Sequence, residues 1–302
     1  MELGLVGLGR MGSSMTVRLL RRGHELVVFD LDPDRRRASA AEGARAVESL
    51  EALVEALEPR RAVWIMVPHG PATKESVDRL VELMDEGDVI VDGGNSRYTD
   101  STAAAERAKR SGVDLLDVGV SGGVWGLEDG YCLMVGGDAA AYAHLEPAFE
   151  ALAPADGYAR VGASGAGHFV KMIHNAVEYG MLQALGEGFE CLARSDFELD
   201  LSRVGALWQH GSVVRSWLLE LLVRAFEVEG DDLRDVAPWV DDSGMGRWSV
   251  EYALERAIPV PAIATALLER FDSRTRDRFS AKVIAALRKQ FGGHAVREEA
   301  GV

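Results

Sequence analysis

Glu2-Leu-Gly-Leu-Val-Gly7-Leu-Gly9-Arg-Met-Gly12 opens the chain, and Glu25-Leu-Val-Val-Phe-Asp30 follows shortly after. Leu3 to Val6 reads as a short apolar strand. It runs into a G-x-G-x-x-G pattern and a helix from about Met11 to Arg22, which Gly23-His24 ends. Glu25 to Phe29 is a second strand closing on Asp30, 18 positions after Gly12. This is a βαβ unit with a mechanism behind each residue. The glycines permit a tight turn, close approach of backbone to a pyrophosphate, and close helix–strand packing. The helix N-terminus attracts the phosphates, and the acid takes a ribose 2′-hydroxyl. A dinucleotide would lie on Gly7, Leu8, Gly9, Arg10, Met11 and Gly12, with Asp30 on the ribose. A carboxylate there repels a 2′-phosphate, and Asp32 adds to the effect, so NAD is expected over NADP. Arg35, Arg36 and Arg37 follow Pro33 inside the next helix and are read as a solvated helix face.

The alternation continues outward. Ala62 to Val67 is a strand stopped by Pro68-His-Gly-Pro71, and a helix spans about Ala72 to Met84. Asp88 to Val91 is a strand ending in Asp92-Gly-Gly-Asn-Ser96. A helix over Tyr98 to Arg110, a strand over Asp114 to Val118 and the loop Val120-Ser-Gly-Gly-Val-Trp-Gly126 follow. Tyr131 to Val135, Ala139 to Leu152 and Tyr158 to Val161 add strand, helix and strand. Repeated strand–helix pairs imply a parallel, doubly wound Rossmann-type α/β sheet. Ligands in such sheets sit off the carboxyl ends of the strands. Val67, His69, Asn95 and Ser96 are at such ends, and Val67 and Asn95 join the expected cofactor contacts.

From Gly165 the strands give out. Helical periodicity covers roughly 167–194, 201–209, 214–228, 248–256, 260–272 and 275–291. We therefore expect a dinucleotide-binding domain over 1–163 and an all-helical substrate and oligomerisation domain over 164–302. In the first of these helices Lys171, His174, Asn175 and Glu178 stand at i, i+3, i+4 and i+7, on one face. Lys171 and Glu178 are then two turns apart, roughly 10 Å along the axis. Phe169, Val170, Met172, Ile173 and Val177 around them are apolar and expected to be buried. A base, a proton donor and two polar groups in one row suit an active site better than a core.

Composition narrows the class. The chain has 302 residues, 47% apolar and 27% charged, enough for a well-buried core and two domains. Its net charge of −15 argues against nonspecific nucleic-acid binding. An anionic substrate then needs local arginines, lysines or helix N-termini. Cys132 and Cys191 lie in apolar sequence surroundings, which suggests a reducing compartment and no disulfide framework. There is no signal-peptide pattern and no apolar run long enough to span a bilayer, so a cytoplasmic protein without membrane association is expected. The seven histidines are scattered without paired metal-ligand spacing, and no metal is expected.

Four stretches together resemble one family. They are Gly7-Leu-Gly-Arg-Met-Gly12, Asp92-Gly-Gly-Asn-Ser96, Ser121-Gly-Gly123 and Gly165-Ala-Gly-His-Phe-Val-Lys-Met-Ile-His-Asn-Ala-Val-Glu-Tyr179. In order and approximate spacing the chain is similar to the decarboxylating 6-phosphogluconate dehydrogenases. In length it is similar to their short, often NAD-linked branch. The Lys-x-x-His-Asn-x-x-Glu-Tyr run is the specific part. The resemblance implies oxidative decarboxylation of 6-phosphogluconate to ribulose 5-phosphate, a pentose phosphate pathway step. It implies that Asn95, Ser121, Gly122 and Gly123 contact the sugar acid and that His174 and Asn175 bind its hydroxyls. Lys171 would take the C3 hydroxyl proton, and Glu178 would protonate C1 of the enediol left by CO₂ loss. Tyr179 and Arg270 would bind the phosphate. Arg288-Lys-Gln-Phe-Gly-Gly-His294 matches a segment that reaches the neighbouring subunit's site, so Arg288 and His294 would complete it in a homodimer or homotetramer. One departure stands out. The longer enzymes carry Lys-Gly-Thr-Gly-Lys-Trp where this chain has Ser243-Gly-Met-Gly-Arg-Trp248. Arg247 supplies charge there, but Met245 cannot donate a hydrogen bond.

The chemistry fits the residues independently. Oxidising a C3 hydroxyl with the carboxylate at C1 gives a β-keto acid, which loses CO₂ readily once the enolate oxygen is stabilised. Lys171 must start neutral, below its usual pKa of about 10.4, and burial drives it that way. Two other readings account for parts of the chain. A non-decarboxylating β-hydroxyacid dehydrogenase explains Lys171 but leaves Glu178 idle. A non-catalytic NAD(H)-binding regulator explains the glycine loop but not the Lys-to-Glu row.

Overall fold

A computed structural model describes residues 1–292 of the chain. The chain divides into two compact units, Met1–Asn175 and Ala176–Val302.

The first unit is built on an eight-stranded sheet. Its elements are β1 (Glu2–Val6), α1 (Arg10–Arg21), β2 (Glu25–Phe29), α2 (Pro33–Ala41), β3 (Arg45–Ala46), α3 (Leu50–Glu55), β4 (Ala62–Ile65) and α4 (Pro71–Leu83). They continue with β5 (Val89–Asp92), α5 (Tyr98–Arg110), β6 (Asp114–Ser121), α6 (Gly126–Asp129), β7 (Cys132–Gly136), α7 (Ala139–Leu152), β8 (Tyr158–Gly162) and the start of α8 (Ala166–Ala193). The strand order is β3-β2-β1-β4-β5-β6-β7-β8. The chain winds outward from β1 in both directions, so the switch point lies between β1 and β4, where Val6 pairs with Ile65. In open α/β sheets that crevice takes the ligand.

The strands are apolar on both faces because helices cover both. On one face Leu3, Leu5 and Trp64 pack with Met15 and Leu19 of α1 and Phe149 of α7. On the other, Val6, Val63 and Ile65 pack with Leu53 of α3, Leu80 of α4 and Ala108 of α5.

The sheet is parallel, as expected, except at one place, where β6 and β7 pair antiparallel, Val118 opposite Val135. The connection between them holds only a 3₁₀ turn at Gly123–Trp125 and the four residues of α6. A parallel return needs a crossover of a dozen or more residues, which this segment does not provide. Like α6, two further elements had no counterpart in the sequence reading. β3 is two exposed residues, and α3 is a single six-residue segment capped by Ser49, whose hydroxyl accepts from the Ala52 amide.

The second unit is helical, as expected. It contains the rest of α8, then α9 (Leu201–Trp208), α10 (Trp217–Glu229), α11 (Met245–Glu255), α12 (Pro261–Ser273) and α13 (Phe279–Gly292). Asp200 and Ser216 cap α9 and α10 through their side chains. Phe189, Leu201, Leu219 and Phe226 form one core cluster, and Tyr179, Ala266 and Leu267 another.

Cys132 and Cys191 are free and exposed. One burial expectation is corrected: Val170 and Val177 are exposed, because Met172, Ala176 and Tyr179 occupy the buried face of α8. Among the described residues no helix is long and apolar enough to cross a membrane.

Candidate active site

The glycine loop between β1 and α1 is shaped by contacts that exclude side chains. Gly7 has φ +93°, and a Cβ on it would lie 2.6 Å from the Met66 carbonyl oxygen. A Cβ on Gly12 would lie 1.9 Å from the Gly7 oxygen. Above Gly9 the space is open, the nearest atom to an added Cβ being Arg35 Nη1 at 3.9 Å. α1 begins at Gly9 with no side-chain cap. Its first-turn amides are therefore available to an anion. The arrangement fits a pyrophosphate at the helix N-terminus.

Asp30 is buried and braces this loop. Its Oδ2 accepts from the Leu8 amide at 2.6 Å and its Oδ1 from the Asp32 amide at 2.8 Å. Of the following arginines, Arg35 and Arg37 are exposed, as expected of a solvated helix face, while Arg35 and Arg36 also reach the strand end. Arg35 lies 3.6 Å from Asp30 and 3.4 Å from Asp32, and Arg36 Nη1 donates to the Asp30 carbonyl at 2.7 Å. The strand end attracts them because its carboxylates and terminal carbonyls are all acceptors. Met66 and Val67 follow β4, and the exposed Asn95 follows β5. The loop before Asn95 is fixed by Asp92, which accepts from the Gly94 amide at 3.0 Å.

The first turns of α8 dock against β6 and β7. Asp117, fully buried on β6, accepts from the Gly165 amide at 2.6 Å and the His168 amide at 2.8 Å. It caps a helix 48 residues downstream, satisfying two amides that no residue of the helix reaches. Two glycines allow the approach. A Cβ on Gly167 would lie 2.2 Å from the Asp117 carbonyl oxygen, and one on Gly119 would lie 2.4 Å from Lys171 Cβ. His168 is fully buried with Nδ1 2.7 Å from Ser101 Oγ, while its Nε2 has no partner. Asp117, Gly119 and His168 were not singled out in the sequence as site residues.

The result is a catalytic-looking face within the first unit. Lys171 is only 5% exposed. Ser121 Oγ, at the end of β6, lies 3.3 Å from His174 Nε2, and His174 Nδ1 lies 3.0 Å from Asn175 Oδ1. The loop then bends through Gly122 and Gly123, with φ +131° and +55°.

In the second unit α8 continues with Glu178, half-buried, and Tyr179, which is buried. Arg270 lies over the Tyr179 ring at 3.4 Å and donates to the Asp241 carbonyl at 2.8 Å. The Ser243 amide donates to Tyr179 Oη at 3.2 Å. Met245 is fully buried as the first residue of α11. Arg247 and Arg274 both pair with Asp242 at 2.9 Å. Arg288 is exposed on α13, and His294 lies outside the described residues. No group of three or more metal-ligating side chains occurs among the described residues.

Comparison with known proteins agrees with this geometry. A family model described as the NAD binding domain of 6-phosphogluconate dehydrogenase matches residues 2–163. A second, the C-terminal domain of 6-phosphogluconate dehydrogenase, matches residues 167–300. The chain is 47% identical over 297 residues to the NAD(+)-dependent, decarboxylating 6-phosphogluconate dehydrogenase of Haloferax volcanii, covering 98% of each. It is 42% identical to the putative 6-phosphogluconate dehydrogenase YqeC of Bacillus subtilis, covering 99% of this chain and 100% of that one. Among solved structures it matches the Plasmodium falciparum 6-phosphogluconate dehydrogenase with a TM-score of 0.83 at 26% identity, all of this chain against 67% of that chain.

Proposed function

The chain belongs to the 6-phosphogluconate dehydrogenase family, and we propose that it oxidises and decarboxylates 6-phosphogluconate with NAD, giving ribulose 5-phosphate and CO₂. The observation that carries this reading is Lys171. It is buried beside the Ser121–His174–Asn175 chain, on a helix that brings Glu178 to the same face two turns later.

NAD, held by Gly7, Leu8, Gly9, Arg10, Met11 and Gly12 with Asp30, Val67 and Asn95, supplies the hydride acceptor. Lys171 takes the C3 hydroxyl proton as the hydride leaves C3. It must be neutral at the start to do so. As an ammonium it then hydrogen-bonds the C3 oxygen while the C1–C2 bond breaks and CO₂ departs. The electron pair moves onto that oxygen, which takes the proton from Lys171. Glu178 protonates C1 of the resulting enediol as the hydroxyl proton returns to Lys171. Transfer of one proton from Lys171 to Glu178 resets both groups. Asn95, Ser121, Gly122, Gly123, His174 and Asn175 orient the sugar acid, and Tyr179 and Arg270 hold its phosphate. The non-decarboxylating alternative is not favoured, because it gives Glu178 nothing to do.

We assign residues 1–163 to cofactor binding and 164–302 to substrate binding and oligomerisation. We place the enzyme in the cytoplasm as a homodimer or homotetramer, with Arg288 and His294 completing a neighbour's site. Support comes from apolar surface that a solitary chain rarely keeps. Met181, Leu207, Val213 and Trp217 are all more than two-fifths exposed. A cavity of about 340 Å³ is lined by Met181, Leu185, Phe189, Trp208 and Val213.

The test is to supply NAD and 6-phosphogluconate and follow NADH and CO₂ together. Equal amounts of both are expected. NADH without CO₂ would mean a simple hydroxyacid dehydrogenase, and neither product would leave an NAD(H)-binding regulator.

A further inference from the structure

Two arginines of the second unit share one buried carboxylate, and a third, Arg270, lies beside them. Asp242 has a side chain only 3% exposed. Its Oδ1 accepts from Arg247 Nε at 2.9 Å and the Gly244 amide at 3.2 Å. Its Oδ2 accepts from Arg247 Nη2 and Arg274 Nη2, each at 2.9 Å. These donors, Arg247 first, pull its pKa down to about 2. Arg274 Nε donates to the Arg270 carbonyl at 3.1 Å. Arg247 and Arg274 both lie against the Phe271 ring, at 4.6 and 5.5 Å from its centre. Arg270, on the Tyr179 ring, binds a carbonyl rather than a carboxylate.

Arg247 and Arg274 face one buried carboxylate, and the other acids near them, Asp241 and Glu251, are exposed. Asp241, 3.8 Å from Arg274, is 81% exposed and screened by water. In a chain of net charge −15 such a concentration of positive charge is unusual. A purely structural reading exists, in which the cluster ties the segment before α11 to α12. That tie already has the Val240 amide on Ser273 Oγ and Arg270 on the Asp241 carbonyl. It needs neither two arginines on Asp242 nor a third beside them. The segment's other side chains offer an anion little, since Met245 is buried and Ser243 Oγ lies 3.5 Å from Tyr179 Oη.

We propose that Arg274, with Arg247, is a specificity-determining residue for the phosphorylated end of the substrate, and that Asp242 is the positioning residue that fixes both guanidinium planes beside Arg270. A planar fork held from behind by a carboxylate keeps its outer N–H groups directed at phosphate oxygens. This rests on the proposed dehydrogenase reading, because it identifies what holds that substrate's phosphate.

The experiment compares the full-length enzyme with Arg274→Ala, Arg274→Gln and Asp242→Asn. It measures kcat, the KM for 6-phosphogluconate, the KM for NAD, and competitive inhibition by inorganic phosphate. For each variant the KM for 6-phosphogluconate and the inhibition constant for phosphate are expected to rise together, about tenfold or more, as for loss of a charge-assisted contact. The kcat and the KM for NAD should stay close to wild type. Arg274→Gln keeps a hydrogen-bond donor for Asp242 and so tests charge even if the alanine variant fails to fold. Unchanged KM and phosphate inhibition would overturn the proposal. So would a parallel loss in kcat and in the KM for NAD, the signature of a structural tie alone. Stabilisation of the protein by inorganic phosphate in a thermal melt gives a reading without turnover. It should be present in wild type and lost in Arg274→Gln, and its absence from wild type would also overturn the proposal. If wild type turns over no 6-phosphogluconate yet shows that phosphate effect, the reaction assignment fails and the anion site stands.

Discussion

Replacing Gly119 with alanine should disable the enzyme without touching a functional group. The added Cβ would stand 2.4 Å from Lys171 Cβ, 2.9 Å from the Gly167 carbonyl oxygen and 3.1 Å from Lys171 Cγ. Non-bonded carbons rest at roughly 3.5–4.0 Å, so α8 must retreat from β6 by about 1–1.5 Å. It cannot do so freely, because Asp117 holds its first amides at 2.6 and 2.8 Å. Overpacking of this kind costs about 1–3 kcal/mol of stability. A displacement of about 1 Å at a reacting group is worth on the order of a hundredfold in rate. The assay is steady-state NADH formation at saturating NAD and 6-phosphogluconate, with circular dichroism to confirm folding. We expect kcat to fall about a hundredfold and the KM for NAD to change little, since the cofactor loop belongs to β1 and α1. Gly180→Ala on the same helix is the control. Nothing lies within 4 Å of its added Cβ, and the change should stabilise by about 0.5–1 kcal/mol with activity intact. A folded Gly119→Ala enzyme with near-normal kcat would refute the idea that this glycine seats Lys171.

Asp117→Asn leaves one acceptor and turns a donor toward an amide donor, so stability should drop by about 2–4 kcal/mol in urea denaturation; a loss under about 0.5 kcal/mol would show the cap to be dispensable. Asp242 has a folded pKa of about 2 against an ordinary 3.8. Its contribution of about 2 kcal/mol is therefore complete above about pH 4 and is lost as pH falls toward 2. In Asp242→Asn that part of the acid sensitivity should vanish from urea midpoints taken across the window, and a wild-type-like acid profile would contradict it. NAD should exceed NADP in kcat/KM because the carboxylate of Asp30, proposed for the ribose, repels a 2′-phosphate, and comparable efficiency with NADP would sink this. Lys171→Ala should make no NADH, yet mixing it with Arg288→Ala under subunit exchange should restore some activity; demonstrated exchange without recovery would rule out shared sites.

Local periodicity made much of this legible. The β1–α1–β2 unit, the helices at Tyr98–Arg110 and Ala139–Leu152, and the polar row on α8 follow from patterns within a few residues. Features set by distant contacts were not readable. Gly119 looks like any strand glycine until Lys171 lies against it, and Asp117 finds its partners 48 and 51 residues away. β3 escaped because Arg45-Ala46 carries no apolar alternation. The reversal at β7 did leave a signal, since the loop after Ser121 is too short for a crossover. Strand–helix counting alone does not weigh loop length. The apolar neighbours of Val170 and Val177 concealed their exposure, because a helix distributes its sides by angle rather than by proximity in sequence. The sharing of Asp242 by Arg247 and Arg274 spans two helices and was equally hidden.

The capping of α8 by Asp117 bears on how this protein can be dissected. The change of sequence pattern near residue 163 invites a gene fragment ending there as a free-standing nucleotide-binding module. Such a fragment would strip the Asp117 carboxylate of both its amide donors and uncover the backbone around Gly119 and Gly136, against which Gly167 is seated. Water would replace those donors, and the apolar surface that the helix covers would be exposed. Extending the fragment to residue 175 carries the first turns of the helix along as a plug. The longer piece should be the one that expresses as a soluble NAD-binding module, with Lys171, the proposed base, included in it.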